Sequence, residues 1–256
     1  MSQPADATLV VNDLHRHFGG VRAVNGASFT LPPGQITGLI GPNGAGKSTV
    51  LNIIAGALRP DTGTVSYRGQ DITGLPSYQV ARHGIIRTFQ LAAEFAALTV
   101  LENLLVAAPG QRGERLWQAA LGQRYWKAQE RANVERARQL MARFDLSAKE
   151  DEYAGNLSGG QKRLLELMRG LMAAPTLLLL DEPMAGVNPS LARRIERHLL
   201  DLRGEGLTML MIEHELAVVG RLCDPVVVMA QGRVISRGTM ASVRADQEVL
   251  DAYLIG

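Results

Sequence analysis

The chain has 256 residues, 46% of them apolar, with 27 basic against 25 acidic side chains. This length accommodates one large domain, or one domain carrying an insertion, and a net charge near +2 argues against a chain built mainly to coat nucleic acid while leaving room for a local basic patch. One cysteine, Cys223, excludes an intrachain disulfide. No run reaches the roughly 20 apolar residues of a membrane span, since Leu171–Leu180 is interrupted by Pro175 and stopped by Asp181. Met1–Asp6 is polar without an apolar signal core. A chain that is soluble on its own is therefore expected, and any membrane role requires partners.

In chain order, Thr8–Leu14 and Gly26–Leu31 read as strands, Pro32-Pro33-Gly34 as a turn, and Gln35–Ile40 as a buried strand that runs into a glycine-rich loop. Ser48–Gly56 has helical spacing and ends on a glycine, and Thr62–Tyr67 reads as a strand before a turn at Gly69. From Val100 to about Phe144 apolar residues recur at three- and four-residue spacing (Leu116, Ala119, Ala120; Val134, Ala137, Leu140, Met141, Phe144), which predicts helices. Leu164–Met172 continues that pattern. Strand Thr176–Leu180, helix Leu191–Arg203, strand Leu207–Ile212 and strand Val226–Met229 then alternate, as in a parallel α/β sheet. Ligands of such sheets bind beyond the carboxyl ends of the strands.

Three stretches carry chemistry. Gly41-Pro42-Asn43-Gly44-Ala45-Gly46-Lys47-Ser48-Thr49 fits the phosphate-loop pattern, between a strand and a helix as the pattern requires. Glycines let backbone N–H groups close on phosphate oxygens, and the helix that follows adds the positive end of its dipole. Lys47 supplies a mobile cation, and the Ser48 hydroxyl is a hard ligand for magnesium. Leu177–Leu180 is an apolar strand ending in Asp181 and Glu182. Two carboxylates there allow two roles: Asp181 to hold magnesium through water, Glu182 to polarise the attacking water and take its proton. Leu157-Ser158-Gly159-Gly160-Gln161 opens an apolar helix, with Ser158 as a good N-cap and two glycines that admit an anion close to the backbone.

Together, in this order and with a helical region between, these stretches resemble the ATP-binding-cassette ATPases over nearly the whole chain. Leu157–Gln161 matches that family's signature without a substitution. The resemblance implies a P-loop α/β fold with a mainly parallel core sheet, an antiparallel β N-terminal part, and an inserted helical subdomain. Residues 1–89 and 175–256 would form the core and residues 90–174 the helical part. It implies ATP and Mg2+ as the bound species. Gln90, after Arg87-Thr88-Phe89, looks like the glutamine that touches magnesium and the attacking water. His214 looks like the switch histidine at the γ-phosphate, and Phe18 like the aromatic that stacks on adenine. Asn188, in Ala185-Gly186-Val187-Asn188, departs from the aspartate-bearing loop of many members.

In the family the signature faces the phosphate loop of a second cassette, identical or related, so that two ATP molecules are sandwiched between two chains. The further partners implied are transmembrane permease subunits and, indirectly, a solute-binding protein. Nucleic acid is not among them. The place implied is the cytoplasmic face of the cell membrane, peripherally. Leu91–Val106 is a candidate contact with membrane helices. Arg87–Gln90, Leu101–Ala107, Asp181–Pro189, Ile212-Glu213-His214 and Ala252-Tyr253-Leu254 resemble, more narrowly, the ATP-binding subunits of branched-chain amino-acid importers. Urea, amide and lipopolysaccharide transporters share much of this pattern. A soluble cassette in DNA repair or translation, which usually has long coiled coils or paired cassettes, and a P-loop kinase, which lacks the signature, fit the sequence less well.

Overall fold

The computed structural model describes residues 7–88, 95–109 and 123–255. These fall into two compact units, one of Met1–Arg87, Thr176–Gly186 and Ala192–Gly256, the other of Thr88–Pro175 and Val187–Leu191.

The first unit contains two sheets. Strands β1 (Leu9–Phe18), β2 (Val21–Leu31), β4 (Thr62–Tyr67) and β5 (Gln70–Asp71) form an antiparallel sheet in the order β2-β1-β4-β5. Both long strands extend beyond the expected Thr8–Leu14 and Gly26–Leu31. The pairing jumps from Val11↔Phe29 to Leu14↔Ala27, and Asp13 there has φ +48°. This bulge interrupts the in–out alternation, so the second half of β1 does not show a strand pattern in the sequence. Pairs His17↔Arg22 and Phe18↔Val21 close the hairpin over Gly19-Gly20 and put Phe18 at its tip.

The second sheet has the order β10-β9-β3-β8-β7-β6, built from β3 (Ile36–Ile40), β6 (Ile85–Arg87), β7 (Leu177–Asp181), β8 (Thr208–Ile212), β9 (Val226–Ala230) and β10 (Arg233–Gly238). All its pairings are parallel except β10 with β9. Every residue of β3, β7 and β8 is buried, which explains why they are mostly apolar with no polar alternation: a parallel sheet is covered on both faces. Helices α1 (Lys47–Ile54), α2 (Ser77–Arg82), α7 (Leu216–Leu222), α8 (Met240–Arg244) and α9 (Gln247–Ile255) belong to this unit, with most of α6 (Pro189–Gly204). Because β3, β8 and β7 are parallel neighbours, the segments after Ile40, Ile212 and Asp181 emerge at one edge of the sheet.

The second unit is helical, with α3 (Val100–Val106), α4 (Gln123–Arg143) and α5 (Gly159–Met172). Thr99 caps α3 in a reciprocal box: its hydroxyl accepts from Glu102 N–H, and the Glu102 carboxylate accepts from Thr99 N–H at 2.8 Å. The buried amide of Asn103 donates to Phe95 O, Leu98 O and Thr99 O and accepts from Phe95 N–H, so one side chain shapes the whole entry loop. Leu164, Leu165, Met168, Leu171 and Met172 recur on one face of α5 and are buried. Among the described residues no helix is long and apolar enough to cross a membrane.

Candidate active site

The loop after β3 turns sharply into α1 through Gly46, which has φ +97° and stands at the N-cap with no capping side chain. A Cβ on Gly46 would lie 2.2 Å from Ala23 O, so only glycine fits where the loop passes β2. The helix therefore starts with its first N–H groups uncapped by side chains, at the mouth of the loop. Lys47 folds back over the loop: its ammonium donates to Gly41 O at 2.8 Å and Pro42 O at 2.9 Å and is only 5% exposed as a residue. Burial lowers its pKa, while the charges of Glu182 and Asp181 oppose that shift. An incoming phosphate can exchange those carbonyl bonds for charge-assisted ones.

Across the sheet edge, β7 delivers the two acids to different surroundings. Asp181 is buried, and its Oδ2 accepts from Arg87 Nη2 at 2.7 Å. The other terminal nitrogen of Arg87 donates to Asn52 Oδ1 on α1. One guanidinium thus ties β6, β7 and the helix after the loop. Glu182, the next residue, has φ +50°, a left-handed conformation uncommon for a side chain of its size. Its Oε1 lies 2.8 Å from His214 Nε2. That contact joins the ends of β7 and β8 and sets an imidazole beside the carboxylate.

A cleft of about 600 Å3 gathers Phe18, Asn43 to Thr49, Glu182 and His214, with Val21, Arg22, Ala23 and Gln231 completing its wall. Phe18 stands half-exposed at its rim with the Arg16 guanidinium 5.0 Å from the ring centroid. Arg16 is itself anchored by Asp61, which also takes two hydrogen bonds from His17. Gly41, Pro42 and Asp181 lie outside the cleft wall, Gly41 and Pro42 as the carbonyls that receive Lys47. The turn Gln231-Gly232 braces the loop from outside, with Gly232 N–H donating to Ala45 O and Asn25 N–H to Gly232 O.

The helical unit carries the Ser158–Gln161 turn. Ser158 caps α5, its hydroxyl accepting from Gln161 N–H at 3.3 Å while the Gln161 amide oxygen accepts from Ser158 N–H at 2.9 Å. Ser158 and Gly159 are exposed, and nothing would meet a Cβ on Gly159. Gly160 has a packing reason as well: a Cβ there would come within 2.4 Å of Leu191 Cδ2. Asn188 caps α6, accepting from Leu191 N–H at 2.9 Å through its side-chain oxygen. Gln90 lies outside the described residues, as do Leu91–Glu94 of the candidate membrane-contact segment. Phe95 is exposed beneath the Arg169 guanidinium, 4.9 Å from its centroid.

Two site residues carried no role at the sequence level, Arg87 and Glu213. Arg87 sits in a strand three residues long, where the sequence alone offers no reason for a charge. Glu213 enters the sequence reading only as the residue before His214, yet it is only 5% exposed.

The ABC transporter family model matches residues 24–185. The chain is 39% identical over 255 residues to the high-affinity branched-chain amino acid transport ATP-binding protein LivG of Escherichia coli K12, covering 99% of both chains. Among solved structures it is similar to a nucleotide-free ATP-binding cassette from an ABC transporter, with TM-score 0.83, 37% identity, and 96% and 98% of the two chains covered. The ADP conformation of such a cassette matches with the same TM-score and identity over 97% and 98% of the chains. The chain belongs to the ABC transporter family: it is a nucleotide-binding cassette ATPase.

Proposed function

We propose that this cassette energises the import of branched-chain or closely related amino acids, as one of two ATPase subunits mounted on transmembrane permease subunits. Support for the substrate class comes from LivG, whose name describes a branched-chain amino acid transport protein and which this chain matches end to end. The observation that carries the catalytic reading is the single cleft where Phe18, the phosphate loop, Glu182 and His214 meet.

In this reading adenine stacks on Phe18, and the triphosphate lies along Gly41–Thr49 with Lys47 on its outer oxygens. Glu182 accepts a proton from the attacking water, and His214, 2.8 Å from it, holds the γ-phosphate side of the cleft. Asp181 and Ser48 would supply hard oxygen ligands for Mg2+, with Gln90 as a further contact. Mg2+ is ordinarily held by one or two carboxylates plus substrate phosphates, and not by a protein cage. The donor set here fits that habit: one carboxylate, Asp181, at the end of β7, and the Ser48 hydroxyl in the cleft wall. The metal would neutralise charge building on the phosphate oxygens.

The exposed Ser158-Gly159 turn supports its use by a second cassette, whose γ-phosphate its hydroxyl and amides would bind. ATP would favour the paired state and hydrolysis would release it. The helical insertion, residues 90–174, carries that turn and, through the exposed Phe95, a surface for permease helices at the cytoplasmic face of the membrane. A solute-binding protein would then act only through the permease.

The test is Glu182→Gln in the full chain. Turnover should fall below detection while ATP binding stays within about threefold of wild type, since the amide keeps shape but not basicity. Normal hydrolysis would remove Glu182 from its role. Stimulation of the wild-type ATPase by co-purified permease subunits, together with crosslinks from Phe95 to them, tests the transport assignment.

A further inference from the structure

Glu213 is a buried carboxylate that the hydrolysis chemistry does not use. Burial pushes its pKa up, and the nearby Glu182 charge adds to that. A buried charge costs stability unless something in the fold uses it. Its two oxygens show the use. Oε1 accepts the Met184 N–H at 2.9 Å and Oε2 accepts the His214 N–H at 3.2 Å.

Those two backbone groups belong to the two segments that project the acid and the imidazole. Met184 lies two residues beyond Glu182 in a tight turn, closed by Ala185 N–H donating to Glu182 O at 3.1 Å. The near end of that turn is pinned by Glu182 N–H donating to Ile212 O at 3.0 Å, and its far end by Glu213. The side chains then meet at 2.8 Å between Glu182 Oε1 and His214 Nε2. Glu182, Met184, Glu213 and His214 therefore form a closed ring across the ends of β7 and β8. Within that ring Glu182 keeps φ +50°, a conformation unfavourable for a residue with a Cβ unless its surroundings hold it.

We propose that Glu213 is a positioning residue for hydrolysis: its buried carboxylate staples the turn bearing Glu182 to the segment bearing His214 and so fixes the separation of that pair. It acts on the reaction only through them, so the inference rests on the roles given above to Glu182 and His214.

The experiment compares Glu213→Gln and Glu213→Asp with Glu182→Gln, His214→Ala and the double variant Glu213→Gln/His214→Ala, all in the full chain. ATP affinity is read by titration with a fluorescent analogue, kcat and KM by phosphate release, and folding by thermal melting. Glu213→Gln preserves volume but turns an amide toward one of the two N–H donors, so only one bond survives. Its kcat should fall at least tenfold while KM and ATP affinity stay within twofold. Glu213→Asp keeps the charge and should retain more activity than Glu213→Gln. In the His214→Ala background, Glu213→Gln should change kcat by less than twofold, because the separation it sets no longer matters.

Wild-type kcat from both Glu213 variants, with Glu182→Gln inactive and His214→Ala slowed but still measurable, overturns the proposal alone. So does a tenfold loss repeated in full in the His214→Ala background, or parallel losses in ATP affinity and melting temperature, which mark a merely structural residue. Normal turnover from Glu182→Gln and His214→Ala overturns the underlying reading of the pair instead.

Discussion

Replacing Arg87 with methionine should lower the melting temperature of this cassette by about 8–16 °C. The side chains of Arg87 and Asp181 are 15% and 1% exposed, so their ion pair at 2.7 Å is largely shielded from solvent. Removing one partner of a buried pair leaves an uncompensated charge and costs about 3–5 kcal/mol. Asn52 Oδ1 loses its donor too, but a loop neighbour or water can replace it, so we take the sum as roughly 4 kcal/mol. For a domain of this size each kcal/mol shifts the melting point by roughly 2–4 °C. Circular-dichroism melts of wild type, Arg87→Met and the double variant Arg87→Met/Asp181→Leu measure it. The double variant should recover stability, since an apolar pair of similar volume often matches a buried ion pair. A single variant melting within about 3 °C of wild type, a loss near 1 kcal/mol, would refute the shielded-pair argument.

Three other outcomes follow from the geometry. Gly46→Ala sets a Cβ 2.2 Å from Ala23 O at φ +97°, whereas Gly44→Ala at φ +77° meets nothing within 4 Å. Ordinary C···O approach is about 3.3 Å, so Gly46→Ala should weaken ATP binding at least about 100-fold and Gly44→Ala about tenfold or less; equal losses in a fluorescent-ATP titration would contradict this. Burial lifts the Cys223 thiol to about 12, which leaves a thiolate fraction near ~10⁻⁴ at pH 8, so a disulfide reagent should label it only in denaturant. Hydrogen bonds from His17, with the Arg16 charge, hold the Asp61 carboxyl below its usual range. Its contribution is therefore present above the unfolded pKa and lost as pH falls through the folded one. Melting temperatures of wild type and Asp61→Asn should accordingly converge as pH drops from 7 toward 3, and a gap that widens would reverse the sign.

The parts legible in the sequence are those written locally. Ile36–Ile40 and Leu177–Leu180 are mostly apolar without alternation because both faces of a parallel sheet are buried, and the glycine pattern around Lys47 needs only adjacent residues to be recognised. Strand order was not legible: β8 lies between β3 and β7 although more than twenty residues of chain separate it from the nearer of them, and pairing at that range leaves no local signature. The bulge at Asp13 hid half of β1. The three-residue β6 fell below any periodic signal, and β10, half polar and with no fully buried residue, shows no apolar run. Arg87 and Glu213 stayed silent for a related reason. A charge that will be buried looks like a charge that will be solvated until the fold supplies Asp181 on one side and the Met184 N–H on the other.

Glu182 has one more consequence. Its left-handed backbone is where this molecule and its durability part company. A glycine there would relax the turn and, by the usual effect of relieving such a residue, should give a hardier protein. In the role proposed for Glu182 it would also lose hydrolysis. On that proposal the bend holds a carboxylate where a glycine would sit more easily, and thermal hardness is the quantity surrendered for it.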